Sequence, residues 1–360
     1  MPSLTHGPHS PESAAGTEYA RNLREHERKV LSKRKLSDPG RILDTAWQDF
    51  LLLICPVWVA ITYLGLVAVF PEHRAGIFFL YLLVLGEMHF AATWLFFTDR
   101  ANRSWVLERL PALVVIPAAL IVLYVAIGLM DFSMAVFLGS VFSAVHVTRQ
   151  SMGVFRLFGG GKDSVLEYGI YVMSLFWLGI GFIRFFAPNV LGMFRWPAVA
   201  GAMHEATPFL VAVAVVVGIG YLGYAVRQAA NLSVLFVFLT GAFLYSPYAF
   251  VQVPQDAVVM GVGMHWCQYV ALTSKLYLRP EQSVLSGRIK IPYGKIIFLL
   301  AYAAIAASIQ TNTGSSLSSA SLLVLIPLSL QAYHYYIDAF IWKFSDPYIR
   351  KHIGGRLFRA

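Results

Sequence analysis

A chain of 360 residues with 58% hydrophobic and only 13% charged side chains, at a mean hydropathy of +0.63, is excluded from the ordinary soluble classes. It reads as an all-α, polytopic membrane protein. The formal charge of +9 is not a nucleic-acid signature, because the basic residues gather at the ends of apolar runs, where membrane topology puts them.

Residues 1–18 are rich in Ser, Pro, Gly and His and are expected to be disordered. No short apolar core with a cleavage site is seen here, so no signal peptide is expected. Tyr19 to Arg41 is strongly basic and predicts a short surface helix on anionic lipid headgroups. Residues 1–46 are thus expected to form a basic cytoplasmic tail. Ten apolar runs follow, at 47–70, 76–98, 111–130, 133–157, 164–187, 207–226, 232–250, 256–278, 293–310 and 319–343. They predict a transmembrane domain of about ten helices over 47–343, followed by a second basic cytoplasmic tail at 344–360. With the N-terminus inside, every Lys and Arg except Arg74, Arg184 and Arg195 falls on the cytoplasmic side. That partition predicts a bacterial inner-membrane protein with both termini cytoplasmic.

Smaller features read as structural. Cys55 and Cys267 lie inside apolar runs and leave no disulfide framework; Cys267 is expected to be a small core residue. Ser164-Val-Leu-Glu167, after the GGGKD turn, reads as a capping box. The segment 189–207, with Trp196, His204 and Glu205, is expected to lie on the membrane surface. Trp94, Trp177, Trp266 and Trp342 are expected to be mostly lipid-interface anchors. The chain has no nucleotide loop, HExxH, CxxC pair or Gly-x-Ser-x-Gly elbow, so its reactive groups are expected inside the membrane.

Four histidines stand out there. His89, His146, His265 and His334 sit singly in the second, fourth, eighth and tenth expected spans, which would all run outside to inside. Each precedes a basic residue (Arg100, Arg156, Lys275, Lys343) by about ten positions, which places the imidazoles roughly 14–17 Å from that boundary in one plane. His265 shares its helical stripe with Gly261, Val262, Gln268, Tyr269 and Leu272. One turn further toward the basic end, Thr93, Gln150 with Arg149, Gln268 and Asp338 form a second polar layer suited to orienting ligands or carrying protons. An ion pair between Arg149 and Asp338 is expected, because a lone charge at that depth is costly. Glu87, two residues from His89, is expected to point away from it. Gly86, Gly139 and Gly261 would let the helices approach closely.

Imidazoles with a nearby carboxylate suit iron, copper or zinc, and the lack of a thiolate cluster excludes iron–sulfur. A bis-His haem b would use only two of the four histidines, so non-haem iron is the expected cofactor. The layout of His89, His146, His265 and His334 resembles that of histidine-rich bacterial membrane metalloenzymes, among them the Brp/Blh carotene dioxygenases, although without the His-Gly and closely spaced paired histidines of that family and without the HxxxH and HxxHH boxes of membrane desaturases. The resemblance implies a metal-dependent, O2-using oxidoreductase acting on a hydrophobic small molecule, lipid- or isoprenoid-like, with membrane lipids around it and an electron-donor protein as partner. The alternative is a proton-coupled transporter using a His146, Arg149 and Asp338 relay.

Overall fold

The computed structural model describes residues 42–188, 191, 196–278, 293–313 and 322–357. These residues are helical, with no strand among them. A chain this apolar has few water-exposed partners for its peptide groups, and the helix satisfies them within each segment. Local signals set the ends. Asp131 accepts the Met134 N–H (3.0 Å) at the start of Phe132–Leu157, and Asn231 accepts that of Val234 (3.0 Å) at the start of Leu232–Phe243. The cap before Ser164–Phe185 is Asp163, which accepts from Val165 and Leu166 (2.9 and 3.1 Å). The expected capping box therefore starts one residue early: Glu167 instead pairs with Arg156 (2.6 and 2.9 Å) across the turn at Gly159, whose φ of 93° suits glycine.

Helix occupies part of each of the ten expected intervals, but among the described residues six helices are long and apolar enough to cross a membrane: Pro71–Thr98, Pro111–Met130, Phe132–Leu157, Ser164–Phe185, Thr207–Gln228 and Gly294–Thr311. Ala46–Ile54 and Trp58–Val69 would make a seventh only as a pair bent by 66°. Leu232–Phe243 is 12 residues long, about 18 Å, shorter than a hydrocarbon core of about 30 Å. The His265 helix, Pro254–Tyr277, is buried on nearly every side by the helices around it. Such a helix has no need of an apolar exterior.

Packing corrects two expected lipid anchors: Trp177 and Trp266 are buried core residues. Cys267 is buried as expected, and both cysteines are free. Pro197–Glu205 forms a helix with His204 and Glu205 exposed, whereas the basic segment of 1–41 lies outside the described residues.

The basic ends of the helices meet. Lys275 Nζ donates to the carbonyls of Ile42 and Leu357, the latter at 2.9 Å. Beyond residue 343 the chain folds into the short turns Pro347–Ile349, Arg350–Gly354 and Gly355–Leu357, which bury Ile349, Ile353 and Leu357. Arg356 pairs with Asp99 (2.5 Å), and Arg109 with Asp346 (3.3 Å). Burial pushes both carboxyls up, but it is outweighed. At Asp99 the Arg356 and Ala101 N–H groups win, and at Asp346 those of Ile349, Tyr348, Trp105 and Arg109 do, so both carboxyls end below the usual range. At the far end Arg74 pairs with Asp256, to which Tyr63 also donates (2.7 Å), and Arg184 donates to the Tyr248 carbonyl (2.7 Å).

Candidate metal centre

The four histidines come together. His89 lies on Pro71–Thr98, His146 on Phe132–Leu157, His265 on Pro254–Tyr277 and His334 on Leu322–Ile341, and all four are buried. Glycine allows two of these helices to approach closely: a Cβ at Gly86 on the His89 helix would lie 3.3 Å from the Trp266 ring on the His265 helix, while one at Gly261 would lie 2.6 Å from the carbonyl oxygen of Leu244, which ends the Leu232–Phe243 helix.

The rings stand at the corners of a quadrilateral. Its sides are 4.9 Å (His89–His265), 5.5 Å (His265–His146), 4.8 Å (His146–His334) and 4.4 Å (His334–His89), and the His89–His146 diagonal is 6.2 Å. An ion held about 2.1 Å from an imidazole nitrogen lies about 3.2 Å from the ring centroid. Half the measured diagonal is about 3.1 Å, and a square of that size has sides of about 4.4 Å. A tetrahedral set would instead make all six separations about 5.2 Å. The four sides span both values, so the cluster is of a size for one ion among the imidazoles.

The nitrogens agree with that. Both ring nitrogens of His89 and Nε2 of His265 are buried without a hydrogen-bond partner among the described residues, a costly state in a dry interior unless a ligand meets them. Nε2 of His146 and Nε2 of His334 lie 3.3 Å apart, close to the spacing of two nitrogens on one ion. Donor atoms of His89, His146 and His265 all lie within 4.8 Å of one another, as do those of His146, His334 and Asp338. The residues present fit a transition-metal ion.

A second polar layer lies one turn toward the basic end, and its members stand four residues after each histidine: Thr93, Gln150, Tyr269 and Asp338. Thr93 Oγ1 contacts His334 Nδ1 (2.5 Å) and the Tyr269 hydroxyl (2.8 Å), Tyr269 donates to Asp338 Oδ1 (2.9 Å), and Gln150 Nε2 donates to Asp338 Oδ2. That oxygen lies 3.7 Å from His146 Nε2 and 3.6 Å from His334 Nε2. Because histidines meet histidines and i+4 residues meet i+4 residues, the four helices run in the same direction.

Two expected members of this layer are elsewhere. Arg149 is exposed and makes no ion pair with Asp338, since it lies one position round the helix from Gln150. Gln268, three residues after His265, is buried but donates to the Leu53 carbonyl (2.6 Å), bracing the first bent helix. Tyr269 takes its place. Glu87, two residues before His89, is buried and accepts from Gln310 (2.7 Å) and Gln331 (3.4 Å). Comparison with protein-family models, curated proteins and solved structures finds no match for the chain.

Proposed function

We propose that the cluster binds one iron ion through His89, His146, His265 and His334, and that the chain is a membrane-embedded, O2-dependent oxidoreductase acting on a hydrophobic, lipid- or isoprenoid-like molecule. The observation that carries this reading is the set of orphaned nitrogens on His89 and His265 at the corners of an ion-sized ring of imidazoles. Imidazole donors beside a carboxylate suit iron, and four rings with neighbouring centroids 4.4–5.5 Å apart leave little room for a macrocycle among them. When bound, such an ion supplies the activation of dioxygen that side chains alone lack.

The chain's own residues perform the rest. Thr93 holds His334 by Nδ1, which turns Nε2 inward. Asp338 places a carboxylate on the face toward the basic ends, and Tyr269 and Gln150 fix its two oxygens. This layer is the route by which protons reach the site and the side from which an electron-donor protein delivers electrons. The ten-span topology, with both termini cytoplasmic in a bacterial inner membrane, belongs to the same proposal and rests on the partition of Lys and Arg. The transporter reading has less support, because Arg149 is exposed and forms no ion pair with Asp338.

The test is turnover of candidate isoprenoids and lipids by metal-loaded protein in vesicles, with and without oxygen. Product that requires both oxygen and His89 supports the proposal. Equal product under strict anaerobiosis contradicts it.

A further inference from the structure

A cleft of about 660 Å³ opens at the far end of the bundle, where the helices Ser164–Phe185, Pro197–Glu205 and Thr207–Gln228 meet the short helix Pro247–Phe250. Its size is that of a small-molecule site, about 300–1,000 Å³, and its lining has two halves. Arg184, His204 and Gln252 supply polar groups, while Phe185, Val211 and Phe250 supply apolar wall. None of these residues belongs to the imidazole cluster or to the polar layer behind it.

The guanidinium of Arg184 is held in place here without being neutralised. Nη1 donates to the Tyr248 carbonyl (2.7 Å) and Nη2 to Gln252 Oε1 (3.3 Å), and the group lies 5.2 Å from the centre of the Phe185 ring. Both acceptors are neutral, and they use only part of a guanidinium's set of N–H donors. Among the described residues no carboxylate pairs with Arg184. Arg74, the other described arginine at this end, is taken by Asp256, and Glu205 is exposed and outside the lining. A fixed guanidinium beside apolar wall suits an oxyanion that carries an apolar body, and its fork matches phosphate oxygens. The helix below the cleft shows what that body is. From Val211 a stripe of exposed side chains, Val215, Ile219 and Leu222, runs down Thr207–Gln228, and the rise from Val211 to Leu222 is about 16 Å. One leaflet of a hydrocarbon core is about 15 Å deep, so the stripe has the length of one acyl chain laid along the helix.

We infer that this cleft binds the phosphodiester headgroup of a membrane phospholipid, with Arg184 on the phosphate oxygens, His204 and Gln252 beside the rest of the headgroup, and an acyl chain along Val211, Val215, Ile219 and Leu222. The site stands apart from the metal centre and does not depend on it. Basic pockets between membrane helices hold lipid headgroups in this way. Free phosphate has the same oxygens but nothing to cover Phe185, Val211 and Phe250. A neutral lipid covers those side chains but leaves the guanidinium without a counter-charge at the edge of the membrane, where an unpaired charge is costly.

The experiment crosslinks the full-length protein, in neutral detergent, to phosphatidylglycerol carrying a diazirine in its acyl chain, with unlabelled competitors present, and maps the labelled peptides. Labels should fall on Thr207–Gln228, and unlabelled phosphatidylglycerol should displace them at a concentration at least about tenfold below that of a diacylglycerol with the same chains. Millimolar inorganic phosphate should leave them in place. In the R184Q protein the two lipids should compete within about twofold of each other, whereas K343Q/K351Q, changed at the opposite end, should keep the wild-type preference. Equal displacement by the two lipids in the wild type overturns the inference and needs no variant to fold. Displacement by millimolar phosphate alone makes the cleft a site for the free anion and overturns the lipid. A folded R184Q protein that keeps the preference, or a K343Q/K351Q protein that loses it, overturns the assignment to this cleft.

Discussion

Asp338 accepts from Tyr269 and Gln150 and presents Oδ2 to the Nε2 atoms of His146 and His334, so Asp338→Asn removes half of an acceptor set while keeping the shape. Metal affinity in that variant is expected to fall by about 10–100-fold, as for other groups that orient ligands, with the fold retained. Gln268→Leu should do the reverse, because Gln268 braces Leu53: about 1 kcal/mol of stability is lost and metal binding is kept. Arg149→Gln should change neither, since Arg149 is exposed. Chelator competition and thermal melting separate the three. The histidines were legible in the sequence because a lone imidazole at constant distance from a basic end needs no tertiary knowledge. Their partners were less so. Positions i+3 and i+4 both lie one turn on, and only packing decides that Tyr269 rather than Gln268, and Gln150 rather than Arg149, faces the cluster. Asp163 was passed over as a cap for a similar reason, as it stands beside a serine that also suits the position.

At the scale of helices, the seating of the His265 helix against the end of Leu232–Phe243 depends on a missing side chain. A methyl at Gly261 would meet the Leu244 carbonyl oxygen at 2.6 Å, and backbone cannot yield as a flexible side chain can. Gly261→Ala is therefore expected to cost about 1–3 kcal/mol, whereas Gly153→Ala, with nothing within 4 Å, should be neutral or stabilising by a few tenths. Melting curves of the two proteins decide this. The folded C-terminal turns make a separate prediction. Asp99 and Asp346 are held below the ordinary carboxylate range, so their contribution to docking is complete above the unfolded pKa and is lost as pH falls through the folded one. Residues 347–357 should resist proteolysis at pH 7 and pH 5 and become cleavable only below about pH 4. Cleavage that is equal at pH 7 and pH 3 would contradict the ion-pair clamp. Helix existence could be read from apolar runs; burial could not. An aromatic such as Trp177 suits lipid interface and protein core alike, and only its neighbours show which it meets.

For the whole molecule, the helices that hold histidine divide into two kinds. Pro71–Thr98 and Phe132–Leu157 are apolar enough to face lipid, while Pro254–Tyr277 is enclosed by other helices and carries Asp256, Gln268 and Thr273 buried. A hydropathy reading counts spans by their lipid face, so it treats an enclosed helix and a crossing helix alike when both are moderately apolar; the enclosed helix, the bent first pair and the short Leu232–Phe243 all separate the expected ten from the six that satisfy length and apolarity among the described residues. The central claim concerns what the enclosed helix and its partners hold. X-ray absorption at the iron edge of purified, iron-loaded protein tests it most directly. The account predicts one iron per chain with four imidazole nitrogens at about 2.1 Å, and fewer imidazoles in His265→Ala. Stoichiometric iron with an unchanged imidazole count in every one of the four single histidine-to-alanine variants would contradict it.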